Sequence, residues 1–358
     1  MGVEIVEKAW RFLQSLSVSE IWQLAVAVFT VTVGLVTVTF KLTKLLIRLK
    51  PNAIEGELRK EITAKQDLIT DLRADADHII QLKATLETGI DEQALWKFRS
   101  ASPPRDLLDR IHASPMKVLT FANYKGGVGK TTMAANIGAY FAKQGKRVLL
   151  IAFDYQGSLS STVLRAAGRQ EVQSHSDRLL TGVLTPSELT GQAYFLPPSL
   201  PQVALVPAGN ALNVQEGRLA LRWFLKMDDA DPRFALVRLL SNADVLARFD
   251  VVIVDTPPRL SLATINALSA STHFAVPTIL DSMSVENIGN LLDNVDTIFR
   301  RALNPNIKLA GIIGTMTEQQ DPKDRELKAW ESVADRAIEK WGPTTYFFKN
   351  TIPDTTRF

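Results

Sequence analysis

Cysteine is absent from this sequence of 358 residues. Disulfide bonds, thiolate metal sites and iron–sulfur clusters are therefore excluded. Histidine is scarce as well, and the four histidines are scattered without metal-ligand spacing. An excess of one charge is also lacking, because the net charge is only +3. A net charge this small indicates anionic partners only weakly and does not by itself indicate nucleic-acid binding.

Charged residues are missing from one long stretch near the N-terminus. Ile21 to Phe40 reads IWQLAVAVFTVTVGLVTVTF, 20 residues without a charge. A helix of that length would rise about 30 Å, the thickness of a bilayer core. Mixed charges precede the stretch and basic residues follow it, which predicts an outward N-terminus. We therefore predict a short segment at 1–20 and a transmembrane helix at 21–42. The alternative is a buried β-hairpin, suggested by the valines and threonines.

The next stretch, residues 53–97, is charged and contains no proline and only two glycines. A heptad seam of ten positions from Leu58 to Ile90 is apolar at eight of them. This pattern predicts a helical stalk or coiled coil over 53–97. The alternative is a single amphipathic helix that folds back on the following domain or lies near the membrane. Pro103 and Pro104 end the pattern, so we assign 98–115 to a linker.

From residue 116 onward, short apolar segments alternate with longer amphipathic ones. This alternation predicts an α/β domain at 116–358 with a doubly wound, mostly parallel sheet and helices on both faces. Ligands bind such sheets at the carboxyl ends of the strands. The predicted strands are KVLTFA, RVLLIAF, VALVP, VVIVD, HFAVP and LAGIIG.

The first of these strands leads directly into the stretch NYKGGVGKTT, and a helical segment follows. Glycines let successive backbone N–H groups face a phosphate, and the helix adds its positive end. Lys130 is expected to reach the outer phosphates, and the Thr131 hydroxyl is expected to bind Mg²⁺. The predicted nucleotide-binding residues of this segment are Gly126, Gly127, Val128, Gly129, Lys130, Thr131 and Thr132.

Two later strands end in a carboxylate. Asp154 follows the second strand in FDYQGS, where Gln156 is a further candidate for nucleotide binding, and Asp255 ends the strand VVIVD. A carboxylate at either position can hold a magnesium-bound water. The predicted metal ligands are therefore Thr131, Asp154 and Asp255. For Asp154 the alternative is an ordinary helix N-cap.

The chain from residue 116 onward resembles the ParA/MinD family of ATPases, which carry a deviant Walker A motif. The segments that carry the resemblance are KGGVGKTT, GKRVLLIAFDYQGS, VALVPAGNAL, FDVVIVDTPPRLSLATINALSAS, HFAVP and TIPD. The resemblance implies a P-loop NTPase fold that binds ATP with Mg²⁺. It implies catalytic roles for Asp154 and for Lys125, which would reach the phosphates of the other subunit in a face-to-face homodimer. It also places Pro353, in TIPD, among the nucleotide-binding residues.

The sequence departs from the family pattern beside Asp154. The family has an acidic pair separated by one residue and followed by proline and glutamine, whereas this chain has Ala152 at the first acid and Tyr155 at the proline. We therefore expect slow hydrolysis. The chain also stops soon after TIPD, where relatives continue with another helix or two.

The predicted function is a membrane-tethered switch that dimerises through its ATP-bound heads and hydrolyses ATP. It would be a single-pass protein of the inner membrane with its ATPase domain in the cytoplasm. Segregation, envelope organisation and phage defence all fit such a switch, and the protein partner or activator stays open. The alternatives are a membrane ATPase like the bacterial tyrosine kinases and an ATP-binding scaffold with little turnover.

DNA is a possible further partner that the sequence supports only weakly. From Asp296 to Phe358 there are ten Lys and Arg and nine Asp and Glu. This near-neutral balance does not favour a strong phosphate-binding patch, and it leaves DNA binding open because distant residues can cluster.

Overall fold

The computed structural model divides the chain into two compact units, Met1–Ile90 and Asp91–Phe358. It describes residues 17–46, 54–87, 96, 100–169, 175–191, 194–196, 200–228, 230–280, 282–317, 324–342 and 352–353. Most of the predicted N-terminal segment at 1–20, the end of the predicted stalk and part of the linker lie outside the described residues.

The first helix of the first unit, α1, spans Val18–Leu46 and contains 29 residues. Large apolar side chains along it are exposed, including Trp22, Phe29 and Leu35. A membrane crossing requires about 20 consecutive, predominantly apolar residues in one helix. Among the described positions, no helix combines the necessary length with the necessary apolar content. The predicted transmembrane helix at 21–42, and with it the single-pass placement in the inner membrane, is therefore wrong.

The second helix, α2, spans Ile54–Glu87 and contains 34 residues, which confirms the helical character predicted for this stretch. At 1.5 Å per residue it is about 51 Å long. Four positions of the predicted heptad seam are half-buried: Leu58, Ile62, Lys65 and Ile69. The other positions between 58 and 71 are exposed. The seam therefore coincides with the less exposed face of α2. Its pairing with a second chain stays a prediction.

The second unit is built on an eight-stranded sheet with the order β3-β4-β2-β5-β1-β6-β7-β8. Every neighbouring pair is parallel except β3 and β4. All six strands predicted from the sequence are present, and β3 and β8 are additional. The strands are β1 (Lys117–Phe121), β2 (Val148–Ala152), β3 (Phe195–Leu196), β4 (Leu200–Val206), β5 (Val251–Asp255), β6 (His273–Ile279), β7 (Lys308–Thr317) and β8 (Ile352–Pro353).

The central strands end at the same level, and this positions the site. β2 and β5 are buried at every residue, as expected for parallel strands covered on both faces. Asp255 is level with Phe121 on one side and with Ala152 on the other. The strand order reverses around β1, which pairs with both β5 and β6. A crevice at the carboxyl ends of these strands is where such sheets bind ligands.

Helices connect the strands and cover the sheet. The described helices of the second unit are α3 (Arg105–Ala113), α4 (Lys130–Lys143), α5 (Ser158–Ala166), α6 (Ser176–Leu180), α7 (Pro186–Thr190), α8 (Asn210–Phe224), α9 (Ala235–Leu240), α10 (Ala243–Arg248), α11 (Leu262–Ala270), α12 (Ser282–Asn294) and α13 (Asp324–Trp341). A 3₁₀ turn spans Pro232–Phe234, and a π-helix spans Val295–Leu303. Gly138 lets α4 approach β2, because an added Cβ would lie 2.8 Å from a methyl carbon of Leu150.

The second unit begins earlier than the predicted domain start at 116. Within the predicted linker at 98–115, α3 follows Pro104 and buries Leu108 and Ile111. Further upstream, Trp96 is only 4% exposed. Its ring stacks on Trp223 with the ring centroids 5.6 Å apart. Proline therefore marks the start of a helix here rather than a free linker, in keeping with its tolerance at helix N-termini.

Candidate nucleotide-binding site

The glycine-rich loop lies between the end of β1 and the start of α4. Gly127 and Gly129 have φ angles of 71° and 84°, in the left-handed region that glycine adopts at low cost. Gly126 and Gly127 are exposed, and a Cβ added to either would meet no atom within 4 Å, so this part of the loop is uncovered. The backbone therefore forms an open cradle at the N-terminus of α4, the arrangement that binds phosphate groups.

Two residues that the sequence did not single out hold this loop in place. Asn123 is buried; its amide donates to the Pro277 carbonyl at 2.8 Å, and its Oδ1 accepts from the Lys125 N–H at 2.9 Å. On the other side, the Thr315 hydroxyl donates to the Val128 carbonyl at 3.0 Å. The loop is thus fixed to β6 and β7 before any ligand binds.

Lys130 begins α4 and is only 6% exposed. Its Nζ donates to the Lys125 carbonyl at 3.0 Å. Burial lowers the pKa of Lys130, while the charges of Asp255 and Asp154 raise it. The side chain is therefore a partly desolvated cation held inside the loop, and two carboxylates lie within its electrostatic range.

Asp255, at the end of β5, is completely buried. Its Oδ2 accepts from the Thr131 hydroxyl at 2.8 Å. Its Oδ1 is buried and has no hydrogen-bond partner among the described residues. Burial raises the pKa of Asp255 to about 7, opposed by the Thr131 hydrogen bond and Lys130 and reinforced by Asp154. A buried carboxylate oxygen without a partner beside a hydroxyl suits a hard cation.

Asp154 and its neighbours are more open. Asp154 follows β2, is half-buried, and its Oδ1 accepts from the Gln156 N–H at 3.0 Å. The N-cap of α5 is Gly157, so Asp154 is not the helix cap that the sequence left as an alternative. The charge of Asp154 acts on both Lys130 and Asp255, which places it in the same cluster.

The remaining predicted residues lie at the rim or apart from the cluster. Lys125 is half-buried in the turn before the glycines, and Thr132 is exposed on α4. Gln156 is exposed in the turn after β2. Pro353 lies in the edge strand β8, where it pairs with Thr317 of β7. The structure thus brings Lys130, Thr131 and Asp255 together directly, whereas a nucleotide contact by Pro353 stays a prediction.

Comparison with known proteins decides the family. A family described as "AAA domain" matches residues 116–309. The chromosome partitioning protein ParA of Caulobacter vibrioides is 30% identical over 214 residues, which cover 59% of this chain and 73% of that protein. The chromosome-partitioning ATPase Soj of Thermus thermophilus is 32% identical over 198 residues, 55% of this chain and 68% of that protein. The chain belongs to the ParA/MinD family of P-loop ATPases.

Solved structures with bound nucleotide are similar to this chain. Cobyrinic acid a,c-diamide synthase from Mycobacterium smegmatis, with bound ATP analog and magnesium, is 30% identical with a TM-score of 0.53. The match covers 67% of this chain and 88% of that one. McdA from Cyanothece, in complex with ATP, is 21% identical with a TM-score of 0.54 and covers 66% and 83% of the two chains. At that identity the likeness to McdA concerns the fold alone.

The residues of this ParA/MinD chain fit a magnesium nucleotide. Mg²⁺ takes oxygen ligands and is usually held by one or two carboxylates together with water and substrate phosphates. Among the described residues, no group of three or more histidine, cysteine, aspartate or glutamate side chains could hold a metal. The Thr131 hydroxyl and the unpartnered Asp255 oxygen therefore suit a metal that arrives with phosphate oxygens.

Proposed function

We propose that this protein is an ATP-dependent switch of the ParA/MinD type, which binds MgATP, pairs through its ATP-bound heads and hydrolyses ATP slowly. The observation that carries the proposal is the buried Asp255 oxygen without a partner. It lies beside Thr131 and Lys130 at the end of an open phosphate cradle. Burying these polar and charged groups without partners costs free energy. A divalent cation and phosphates that bind to them would offset this cost.

The chain's own residues divide the work of binding. The loop N–H groups and the N-terminus of α4 bind phosphate oxygens, and Lys130 neutralises the outer phosphates. Thr131 and Asp255 would hold Mg²⁺, which when bound supplies positive charge that neutralises the phosphates. Because burial favours the protonated form of Asp255, this carboxyl must lose its proton before it can act as a ligand.

The proposed role of Asp154 is in turnover. It lies close enough to affect the pKa of both Lys130 and Asp255, but its own oxygen makes only a local turn contact. A carboxylate in that position can orient the attacking water and accept its proton. Ala152, level with Asp255 on β2, supplies no second carboxylate. This supports a low rate of hydrolysis.

The proposed pairing of two heads rests on Lys125. Lys130 is held inside the loop, where it would meet the phosphates of its own subunit, whereas Lys125 is half-buried in the turn before the glycines. A lysine there can reach phosphates bound by a partner placed face to face, where low solvent access strengthens the contact. Proteins related to this chain partition chromosomes. We propose a comparable positioning role, with an unidentified protein as the activator.

The experiment that tests this proposal measures binding and phosphate release with the full-length protein. Calorimetry with ATP is carried out with Mg²⁺ and with EDTA, and phosphate release is followed in parallel. We expect binding that strengthens with Mg²⁺ and slow release of phosphate. Absence of ATP binding under both conditions would refute the proposal.

One alternative is supported by a specific observation, the alanine at 152. A scaffold that holds ATP without turnover would show the same Mg²⁺-dependent binding but no phosphate release above that of a Lys130→Ala control. The release measurement therefore separates the scaffold from the switch. A transfer of phosphate to tyrosine, as in bacterial tyrosine kinases, would leave the label of γ-phosphate-labelled ATP on the protein instead of in free phosphate.

A further inference from the structure

The loop that follows Asp255 connects β5 to α11 and is fixed from several sides. The Thr256 hydroxyl donates to the Phe121 carbonyl at 2.8 Å. The Trp96 indole donates to the Leu260 carbonyl at 3.1 Å. The Thr264 hydroxyl donates to the Arg259 carbonyl at 2.7 Å. Arg259 thus projects from a backbone that is held at both ends of the loop.

The guanidinium of Arg259 is itself oriented by α8. One of its nitrogens donates to Glu216 Oε2 at 3.0 Å and to Asn213 Oδ1 at 3.2 Å. Glu216 is buried, and its other oxygen accepts from the Ala263 N–H at 2.7 Å. The carboxylate therefore has both oxygens engaged and cannot turn away without losing one contact. One end of the guanidinium is therefore held against α8.

The same guanidinium lies over a ring in the turn that carries Asp154. The central carbon of the Arg259 guanidinium lies 5.5 Å from the centroid of the Tyr155 ring. Tyr155 stands between Asp154 and Gln156, whose N–H bonds to Asp154 Oδ1. One side chain therefore connects the loop after Asp255 to the turn of the proposed catalytic carboxylate.

We propose that Arg259 is a positioning residue that fixes the turn of Asp154 through the ring of Tyr155. The proposal rests on the proposed ATPase function. Its physical reason is the freedom of the turn, because a tyrosine does not fix its own φ and the backbone at position 155 gains order when its ring is held. The guanidinium can hold the ring, since Arg259 is itself hydrogen-bonded to the buried Glu216.

Kinetics of the full-length protein with MgATP provide the first test. Arg259→Ala and Tyr155→Ala should each lower kcat by about twofold to fivefold, the range expected for a partly exposed cation–π contact, with little change in KM. The double variant should lose no more than either single variant, because both remove the same contact. Tyr155→Phe keeps the ring and should behave like the parent.

The matched control is Arg248→Ala. Arg248 also lies over an aromatic ring, that of Phe195 at 4.2 Å, but it ends α10 before β5 begins, at the opposite end of the strand from Asp255. Its loss should leave kcat and KM at parental values. Equal kcat in Arg259→Ala and Arg248→Ala would overturn the proposal, as would additive losses in the double variant.

A second readout needs no nucleotide. Hydrogen exchange at the Gln156 and Gly157 amides, which donate to Asp154, should be faster in Arg259→Ala and in Tyr155→Ala than in the parent. Arg248→Ala should not change it. Unchanged exchange in both test variants would refute the positioning role, even if the parent shows no turnover. If Arg259→Ala does not fold, the proposal is tested by comparing exchange in Tyr155→Ala with exchange in Tyr155→Phe. Both variants keep the contact between Arg259 and Glu216.

Discussion

The inner and outer halves of the candidate site differ in how far they are assembled before a ligand binds. The inner half consists of Lys130, Thr131 and Asp255, which are linked to the protein by direct side-chain hydrogen bonds and are mostly buried. The outer half consists of Lys125, Asp154 and Gln156, which are half-buried or exposed. The two halves have very different surroundings.

This difference indicates a division of labour. A buried, pre-positioned cluster loses little conformational freedom on binding, so it suits affinity for the nucleotide. Exposed groups are worth little until a second surface or the transition state removes water from them. We therefore expect inner substitutions to act on binding, and outer substitutions to act on turnover and pairing.

The largest effect is expected from Lys130→Ala. Loss of the cation should weaken ATP binding on the order of a hundredfold or more, because the proposed charge-assisted contact to the outer phosphates disappears. Calorimetry with full-length protein measures it. The control is Lys143→Ala, at the exposed end of the same helix, which should bind like the parent. Parental affinity in Lys130→Ala would show that the inner half does not bind phosphate.

Asp154→Ala should distinguish most clearly between the effect of the inner half on binding and the effect of the outer half on turnover. ATP binding should stay near that of the parent, whereas phosphate release should fall by about a hundredfold, the usual value of a positioned general base. Single-turnover measurements at saturating MgATP are required. Asp177→Ala, on the short helix α6, removes an aspartate outside the site and serves as control. An unchanged rate in Asp154→Ala would assign the catalytic role to another residue.

Lys125→Ala tests whether the outer half serves a partner. Binding of ATP to one subunit should be nearly intact, since Lys130 and the loop remain. ATP-driven pairing should weaken about thirtyfold, the equivalent of about 2 kcal/mol for a charged contact in a closed interface. Mass distributions of the full chain with ATP, a slowly hydrolysed analogue and ADP measure this change.

For that experiment the matched control is Lys146→Ala, an exposed lysine beyond α4 and just before β2. It should pair like the parent. Pairing that is equal in Lys125→Ala and Lys146→Ala would mean that Lys125 does not act across an interface. A parent that never changes mass with nucleotide would remove the main support for the switch itself.

The strands, loop and carboxylate that form the inner half could be located from the sequence because each has a local pattern. Six strands, the glycine-rich loop and the carboxylate at the end of β5 all follow from patterns within about ten residues. The supports of the loop could not be predicted in this way. Asn123 bonds to a carbonyl 154 residues away, and Thr315 to one 187 residues away. Such pairs are set by the order of strands in the sheet and leave no local signal.

The membrane span and the segments before residue 116 were interpreted from local patterns alone. Pro103 and Pro104 predicted a linker, and there α3 begins directly after Pro104 and buries Leu108 and Ile111. Trp96 stood inside a stretch assigned to the stalk, whereas its partners lie at Trp223 and Leu260. The predicted membrane span was also inferred from local composition. The contacts that bury Trp96 come from residues far along the chain, which a local pattern does not reveal.

The smallest expected effect concerns pH and the inner half. The pKa of Asp255 is raised to about 7 by burial, so at lower pH the carboxyl carries a proton that a metal ligand must lose. Affinity for MgATP should therefore fall by about tenfold from pH 8 to pH 6, whereas ATP binding in EDTA should not show this loss. In Asp255→Asn the nucleotide still titrates, so any pH dependence of affinity that comes from the nucleotide should remain. The pH dependence that comes from the Asp255 carboxyl should be absent.

For the nucleotide-free protein, the Asp255 carboxyl should make stability fall as pH rises, whereas the affinity for MgATP should increase with pH. Its folded-state pKa lies above the unfolded value of 3.8, so the folded state binds more protons between that value and about 7. The free energy of unfolding should decrease as pH rises through this window, and the decrease should be absent in Asp255→Asn. Thermal unfolding of both proteins at several pH values, with and without MgATP, measures this difference. Because binding improves with pH while the empty protein weakens, the stabilisation by MgATP should grow towards pH 8. If parent and Asp255→Asn show the same pH dependence in both experiments, Asp255 is not the group whose ionisation couples the inner half to magnesium.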